Sequence, residues 1–140
     1  MYQRILVAIE NSSADQTILT HIRGLASLTH AEILLVHVAD GWAARHFDDL
    51  KLRESEEMQS DRVYLDRLKD RLSADGFTVE TRLAMGDPAT ELIKMAGEEG
   101  VDLLAMSTHG HRFLADLLLG TTVDRVRHLV KVPVLLLRAQ

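Results

Sequence analysis

VDLLAMSTHGHRFLADLLLGTT, residues Val101–Thr122, is the stretch whose reading decides the fold. A short apolar run ends in Ser107-Thr108-His109-Gly110, nine residues intervene, and Gly120-Thr121 opens another amphipathic segment. A buried strand ending in small and glycine residues, followed by a Gly-Thr step into a helix, gathers free backbone N–H groups and a positive helix end. Anions favour such a place. The same residues turn and cap the chain in any α/β domain, so spacing alone leaves a ligand loop and a structural turn both open.

Outward from this stretch, Arg4–Ile9 (RILVAI) is a continuous apolar run, as in a central strand covered on both faces. Glu10-Asn11-Ser12-Ser13 is loop chemistry, and Ser13 with Gln16 matches a capping box. Ala14, Ile18, Ile22, Leu25 and Ala26 then form the packing stripe of a first helix, with Asp15 and Arg23 expected in water. Ile33–Ala39 (ILLVHVA) is the second strand. Residues 40–52 have no clean period and read as an irregular excursion. From about Glu54 to Ala74, Met58, Leu65, Leu68 and Leu72 share one helical face among alternating charges, and Gly76 stops the helix.

Thr78–Leu83 predicts a third strand, and Gly86-Asp87-Pro88 supplies a turn, an N-cap and a first-turn proline for a third helix reaching about Glu99. Leu103–Met106 is the fourth strand. Val123, Val126, Leu129 and Val130 form the buried stripe of a fourth helix, Pro133 ends it, and Val134–Leu137 is a fifth buried strand. Five strands alternating with four helices predict an α/β fold. The expected architecture is a single-domain, Rossmann-like, doubly wound five-stranded parallel sheet with helices on both faces and right-handed crossovers.

At 140 residues the chain fits one domain, residues 1–140, with a core that needs no staples. With 46% hydrophobic and 26% charged residues it has the balance of a soluble globular protein. Sixteen basic against 21 acidic residues give a net charge of -5, so nothing draws the whole molecule to nucleic acid or anionic lipid, and any phosphate site must be local. The lack of cysteine excludes disulfides, thiolate metal sites and a cysteine nucleophile. Met1-Tyr2-Gln3-Arg4-Ile5 enters a strand without a leader pattern, and no run reaches membrane-spanning length, so a cytoplasmic protein is expected.

In a doubly wound sheet the ligand crevice lies beyond the strand C-termini where strand order reverses, here between strands one and four. Glu10 is then placed to accept hydrogen bonds from ribose hydroxyls or metal-bound water, and backbone groups around Val38 to meet a flat base. The P-loop pattern is missing and no GxGxxG follows the first strand. What remains is Ser107-Thr108-His109-Gly110-x9-Gly120-Thr121, with the Thr121 and Thr122 hydroxyls beside a helix N-terminus, suited to a triphosphate tail. Arg112 and His111 lie inside the loop, either as added charge for phosphate or as plain exposed residues.

On RILVAIENSS, ILLVHVAD, Gly86-Asp87-Pro88, VDLLAMSTHGH, LLLGTTVDRVRH and VPVLLLR, spread over almost the whole length, the chain resembles the nucleotide-binding branch of the universal stress protein family. The resemblance implies an adenine nucleotide α-hydrolase-like fold, a homodimer through the last strand, and ATP bound by G-x-x-G-x9-G-[ST]. AMP or ADP is the alternative ligand, with a magnesium ion as its companion. Position by position, the phosphate pattern falls on Ser107, Gly110, Gly120 and Thr121, with Thr122 offering the next amide. The acidic residue after strand one falls on Glu10, Ala8 lies near the base, and Val38 recognises adenine through its backbone. Ser107 stands where the pattern has glycine and Glu10 where it has aspartate. A positive φ at the first position would strain Ser107; a need only for smallness would free its hydroxyl to hold phosphate.

Catalytic readings are weaker. Thr108-His109-Gly110-His111 is superficially like the TxGH signature of nucleotidyltransferases but follows the wrong strand. The paired histidines lack a second ligand cluster for metal. His37, inside an apolar strand, reads as a hydrogen-bonded core histidine. G-x-S-x-G is absent, and no residue is clearly placed to activate water, so no catalytic residue is assigned and slow ATP hydrolysis stays open. The expected function is a stress-response regulator whose nucleotide occupancy modulates conformation or an unknown protein partner. The alternative is a nucleotide-independent dimeric interaction module.

Overall fold

Strands whose residues are apolar without alternation must be covered on both faces. The computed structural model, which describes residues 1–39, 48–108 and 121–139 (backbone only at 48–55 and 121), shows this arrangement. The elements are β1 (Arg4–Ala8), α1 (Ala14–Thr29), β2 (Glu32–Ala39), α2 (Asp48–Ala74), β3 (Val79–Met85), α3 (Pro88–Glu98), β4 (Leu103–Ser107), α4 (Thr121–Leu129) and β5 (Val134–Leu137). They form one five-stranded sheet of order β3-β2-β1-β4-β5 in which every pairing is parallel. The expected doubly wound sheet is therefore present.

Alternate residues of each strand feed two separate cores. Ile5, Val7, Ile33, Leu35, Leu103 and Ala105 pack with Ile18 and Ile22 of α1 and Leu65, Leu68 and Leu72 of α2. Leu6, Leu34, Val36, Leu104 and Met106 pack with Ala89, Leu92 and Ala96 of α3 and Val126 of α4. Helices thus cover both faces. At the N-terminal end of the sheet Arg4 reaches Glu32 at 3.0 Å, Glu80 at 3.3 Å and Glu99 at 3.2 Å, while Arg82 binds Glu80 and Glu99, each at 2.9 Å. Asp102 closes the same end by accepting the Gln3 and Arg4 amides.

Several local expectations need correction. α2 begins at Asp48, so residues 48–52 of the expected excursion are helical, while 40–47 lie outside the described residues. Leu, Lys, Arg and Glu are good helix formers, and Asp48-Asp49 suits the positive helix end, so this turn needs no apolar period. Ser13 makes no side-chain cap on α1; the Ser12 hydroxyl accepts the Ala14 amide at 3.2 Å instead. Asp15, expected in water, is buried, for reasons given with the site below. Leu129 is 58% exposed because it ends α4 beyond the packed Val126, and β5 is only partly buried because one flank has no neighbouring strand.

The α3 start follows the sequence expectation. Gly86 takes φ 136°, a value suited to glycine, and Asp87 caps the Thr90 amide at 2.9 Å with Pro88 in the first turn. The Thr90 hydroxyl, then its amide and Arg125 of α4 hold the Asp87 carboxyl below the usual aspartate range.

Two outcomes are expected from urea denaturation. Leu104→Ala, at a fully buried position, lowers stability by about 2–5 kcal/mol. Asp87→Ala costs about 1 kcal/mol near neutrality. Because the folded carboxyl binds its proton less readily than the unfolded one, that difference holds above the ordinary range of ~3.9 and disappears as pH falls through the lower folded value.

Candidate functional site

Because β2 and β3 lie on one side of β1 while β4 and β5 lie on the other, the chain leaves β1 and β4 in opposite directions and a crevice opens at their C-terminal ends. Ala8 ends β1, Val38 is the penultimate residue of β2, and Ser107 ends β4. Thr121 and Thr122 open α4. Ala8 and Val38 pack against the α3/α4 core, the side that also holds Val126 of α4. Ser107 follows Leu103 and Ala105 on the opposite, α1/α2 side. Gly110, Arg112 and Gly120, with His109 and His111, lie outside the described residues, and Thr121 is placed by its backbone alone.

Ser107 is not strained. It is ordinary strand backbone, in register with Leu137 of β5, and is absent from the described non-glycine residues of positive φ, Asn11 and His30. Its hydroxyl is buried and, among the described residues, has no hydrogen-bond partner. A buried hydroxyl left this way costs free energy unless something completes it. Thr108 is already committed, since its amide donates to the Leu137 carbonyl at 2.8 Å.

The loop after β1 is organised from within. The Asp15 carboxylate accepts the amides of Glu10 at 2.9 Å, Asn11 at 2.8 Å and Ser12 at 3.3 Å, together with the Tyr64 hydroxyl at 2.7 Å. Asn11, at φ 60°, takes the left-handed turn that aims these successive amides at one anion, a conformation asparagine tolerates. Burial and the bonded Asp15 push the Tyr64 phenol well above the usual tyrosine range. These loop amides are therefore not free for an external phosphate.

Glu10 leaves its carboxylate available at the head of this loop, where it accepts from the Ser12 hydroxyl at 3.2 Å. Burial raises its pKa above the usual glutamate range. Ser12 opposes that shift, Asp15 adds to it and His37 opposes it. His37, as expected, is hydrogen-bonded in the core: Nδ1 lies 2.7 Å from the Ile9 carbonyl oxygen and Nε2 3.1 Å from Asp61. The other Asp61 oxygen accepts from the Asn11 side-chain amide at 2.9 Å. Among the described residues no group of three or more His, Cys, Asp or Glu is arranged to hold a metal ion.

Asp15, Tyr64, Asp61 and Asn11 were not singled out by the sequence reading, yet a signal existed. Asp61 precedes Leu65, Leu68 and Leu72 at helical spacing, and Asp15 precedes Ile18, Ile22 and Ala26 likewise. A carboxylate in register with an apolar stripe points inward and must find donors there.

These features define a Rossmann-like α/β protein with a polar crevice at the strand C-termini. The chain belongs to the universal stress protein family, whose model matches residues 1–138. The universal stress protein MJ0577 of Methanocaldococcus jannaschii is 27% identical over 155 residues, covering 99% of this chain and 96% of the relative. The solved MJ0577 structure matches with a TM-score of 0.89 over 100% of this chain and 98% of that one. A universal stress protein solved in complex with cAMP is 22% identical, with a TM-score of 0.73 over 99% of this chain and 98% of that one. Another, from Archaeoglobus fulgidus in complex with dAMP, is 20% identical, with a TM-score of 0.68 over 98% of each chain. The last two share the fold. No helix among the described residues is long and apolar enough to cross a membrane.

Asp15→Ala strips the partner from three amides and a phenol at once. Its expected cost is about 2–4 kcal/mol in urea denaturation, with amide hydrogen exchange at Glu10–Ser12 accelerated more than in the β1 core.

Proposed function

We propose that this chain is a stress-response regulator that binds an adenine nucleotide, ATP or its di- and monophosphate relatives, across the C-terminal ends of β1, β2 and β4. The observation that carries this reading is the strand reversal between β1 and β4, which brings a half-buried carboxylate, a buried hydroxyl unpartnered among the described residues and the N-terminus of α4 to one end of the sheet. Family members solved with cAMP and with dAMP support the ligand class. The net charge of -5 is compatible with it only because main-chain dipoles rather than bulk charge attract the phosphates.

In this reading the backbone around Val38 meets the adenine edge, Ala8 leaves room beneath the base, and Glu10 accepts from the ribose hydroxyls. Ser107, Gly110, Gly120, Thr121 and Thr122 form the phosphate cradle, with Arg112 adding charge; a magnesium ion, if bound with the nucleotide, would further neutralise the phosphates. Occupancy of the cradle modulates conformation or partner binding. The protein acts as one domain in the cytoplasm, as a homodimer joined along the open flank of β5. The role is read as regulatory, with slow ATP hydrolysis left open.

One observation favours the second reading, a nucleotide-independent interaction module. The amides of residues 10–12 and 108 are spent inside the chain, which narrows what the crevice offers an anion. Calorimetric titration with ATP, ADP, AMP and cAMP, with and without magnesium, decides between them. Saturable binding that Gly120→Val abolishes supports nucleotide recognition. The absence of heat with every nucleotide rejects it in favour of the interaction module.

A further inference from the structure

Two acceptors face the two ring nitrogens of His37. The carbonyl oxygen of Ile9 lies 2.7 Å from Nδ1, and a carboxylate oxygen of Asp61 lies 3.1 Å from Nε2. A neutral imidazole carries one N–H and can satisfy only one of them; the imidazolium, with two, satisfies both. With its second oxygen Asp61 holds the side chain of Asn11. The ring therefore grips the residue before Glu10 directly and the residue after it through one carboxylate. The side chains of His37 and Asp61 are only 12% and 14% exposed, so water is a poor substitute for a lost contact.

We infer that His37 is a positioning residue for the β1 loop, and that its proton, shared between Ile9 and Asp61, holds Glu10 in place for a bound nucleotide. The ligand half of this inference rests on the nucleotide-binding reading; the loop half stands on the geometry alone. The groups around the ring agree in sign. Asp61 faces it from α2 and Glu10 from the loop. Asp15 of α1, bonded to Tyr64 of α2, lies behind the loop, and the register partner on β3 is the uncharged Leu83. Every charged side chain in this set is anionic. Histidine is the side chain whose ordinary charge change falls in the physiological range, which makes the grip a pH-dependent one. Proton loss leaves two acceptors competing for one N–H, and either Ile9 or Asp61 lets go.

Asp61→Asn separates this role from simple packing. An asparagine amide at position 61 can donate to the Nε2 lone pair of a neutral ring while its oxygen still accepts from Asn11, so in the variant the loop stays held when the ring is neutral. ATP is titrated into wild type and Asp61→Asn from about pH 5.5 to 8.5, and the affinities are compared as a ratio, which cancels the titration of ATP itself. The wild type should lose roughly fivefold relative to the variant as pH rises. A flat ratio overturns the inference.

Amide hydrogen exchange at Glu10–Ser12 in the ligand-free proteins, corrected for intrinsic pH dependence, is read in parallel. Loss of protection with rising pH in wild type alone supports the grip, and identical behaviour of the two proteins overturns it. If neither protein binds ATP at any pH, the nucleotide reading fails and exchange alone decides the loop. Should Asp61→Asn not fold, the imidazole nitrogen-15 shifts of wild-type His37 decide. Two protonated nitrogens at low pH, lost in step with loop protection, support the inference; one protonated nitrogen throughout refutes it.

Discussion

A parallel strand hydrogen-bonded along both edges and covered on both faces has polar business left only at its two ends, and β1 is that strand. Its pairing with β2 and β4 and the complete burial of Ile5, Leu6 and Val7 fix the position of everything that leaves it. The connection after β1 turns toward β2, the chain after β4 turns toward β5, and the space between them exists because strand order reverses there. Burying such a strand is favourable in proportion to the apolar area removed from water, but only while its backbone groups find partners along both edges.

The two ends of β1 solve their polar problem differently. At the N-terminal end, Arg4 and Arg82 spread their guanidinium groups over Glu32, Glu80 and Glu99, with several partners partly in water, and this lattice serves to align β1, β2, β3 and the end of α3. At the C-terminal end the anion is buried. Asp15 is 2% exposed, and its charge is balanced by backbone dipoles and a phenol rather than by a cation. A buried carboxylate without donors would be expensive; one with four donors is a tight local constraint.

Much of this was legible in the residues. Uninterrupted apolar runs in RILVAI, ILLVHVA and VLLL announced strands, and Gly86-Asp87-Pro88 announced the start of α3. The partly buried β5 was not legible, because VLLL reads the same at an edge as in the centre; only strand order distinguishes them. The Ser13–Gln16 pattern misled because the Gln16 amide bonds the Ser13 carbonyl rather than its hydroxyl, while Ser12 and Asp15 take the Ala14 and Ser12 amides. The site was visible as positions and opaque as contacts. Glu10, Val38 and Ser107 could be placed by their distance from strand ends, whereas the Asp61–Asn11 and Asp15–Tyr64 pairs join residues about fifty positions apart, beyond any local period.

The Asp15 cradle also bears on the thermodynamics of encounter. A loop shaped by an anion covalently tethered to its own helix takes that form when the chain folds, so while these contacts hold the segment has less freedom to surrender to any ligand. One wall of the crevice is preorganised in this sense, and a visitor meets a surface whose conformational entropy was removed beforehand.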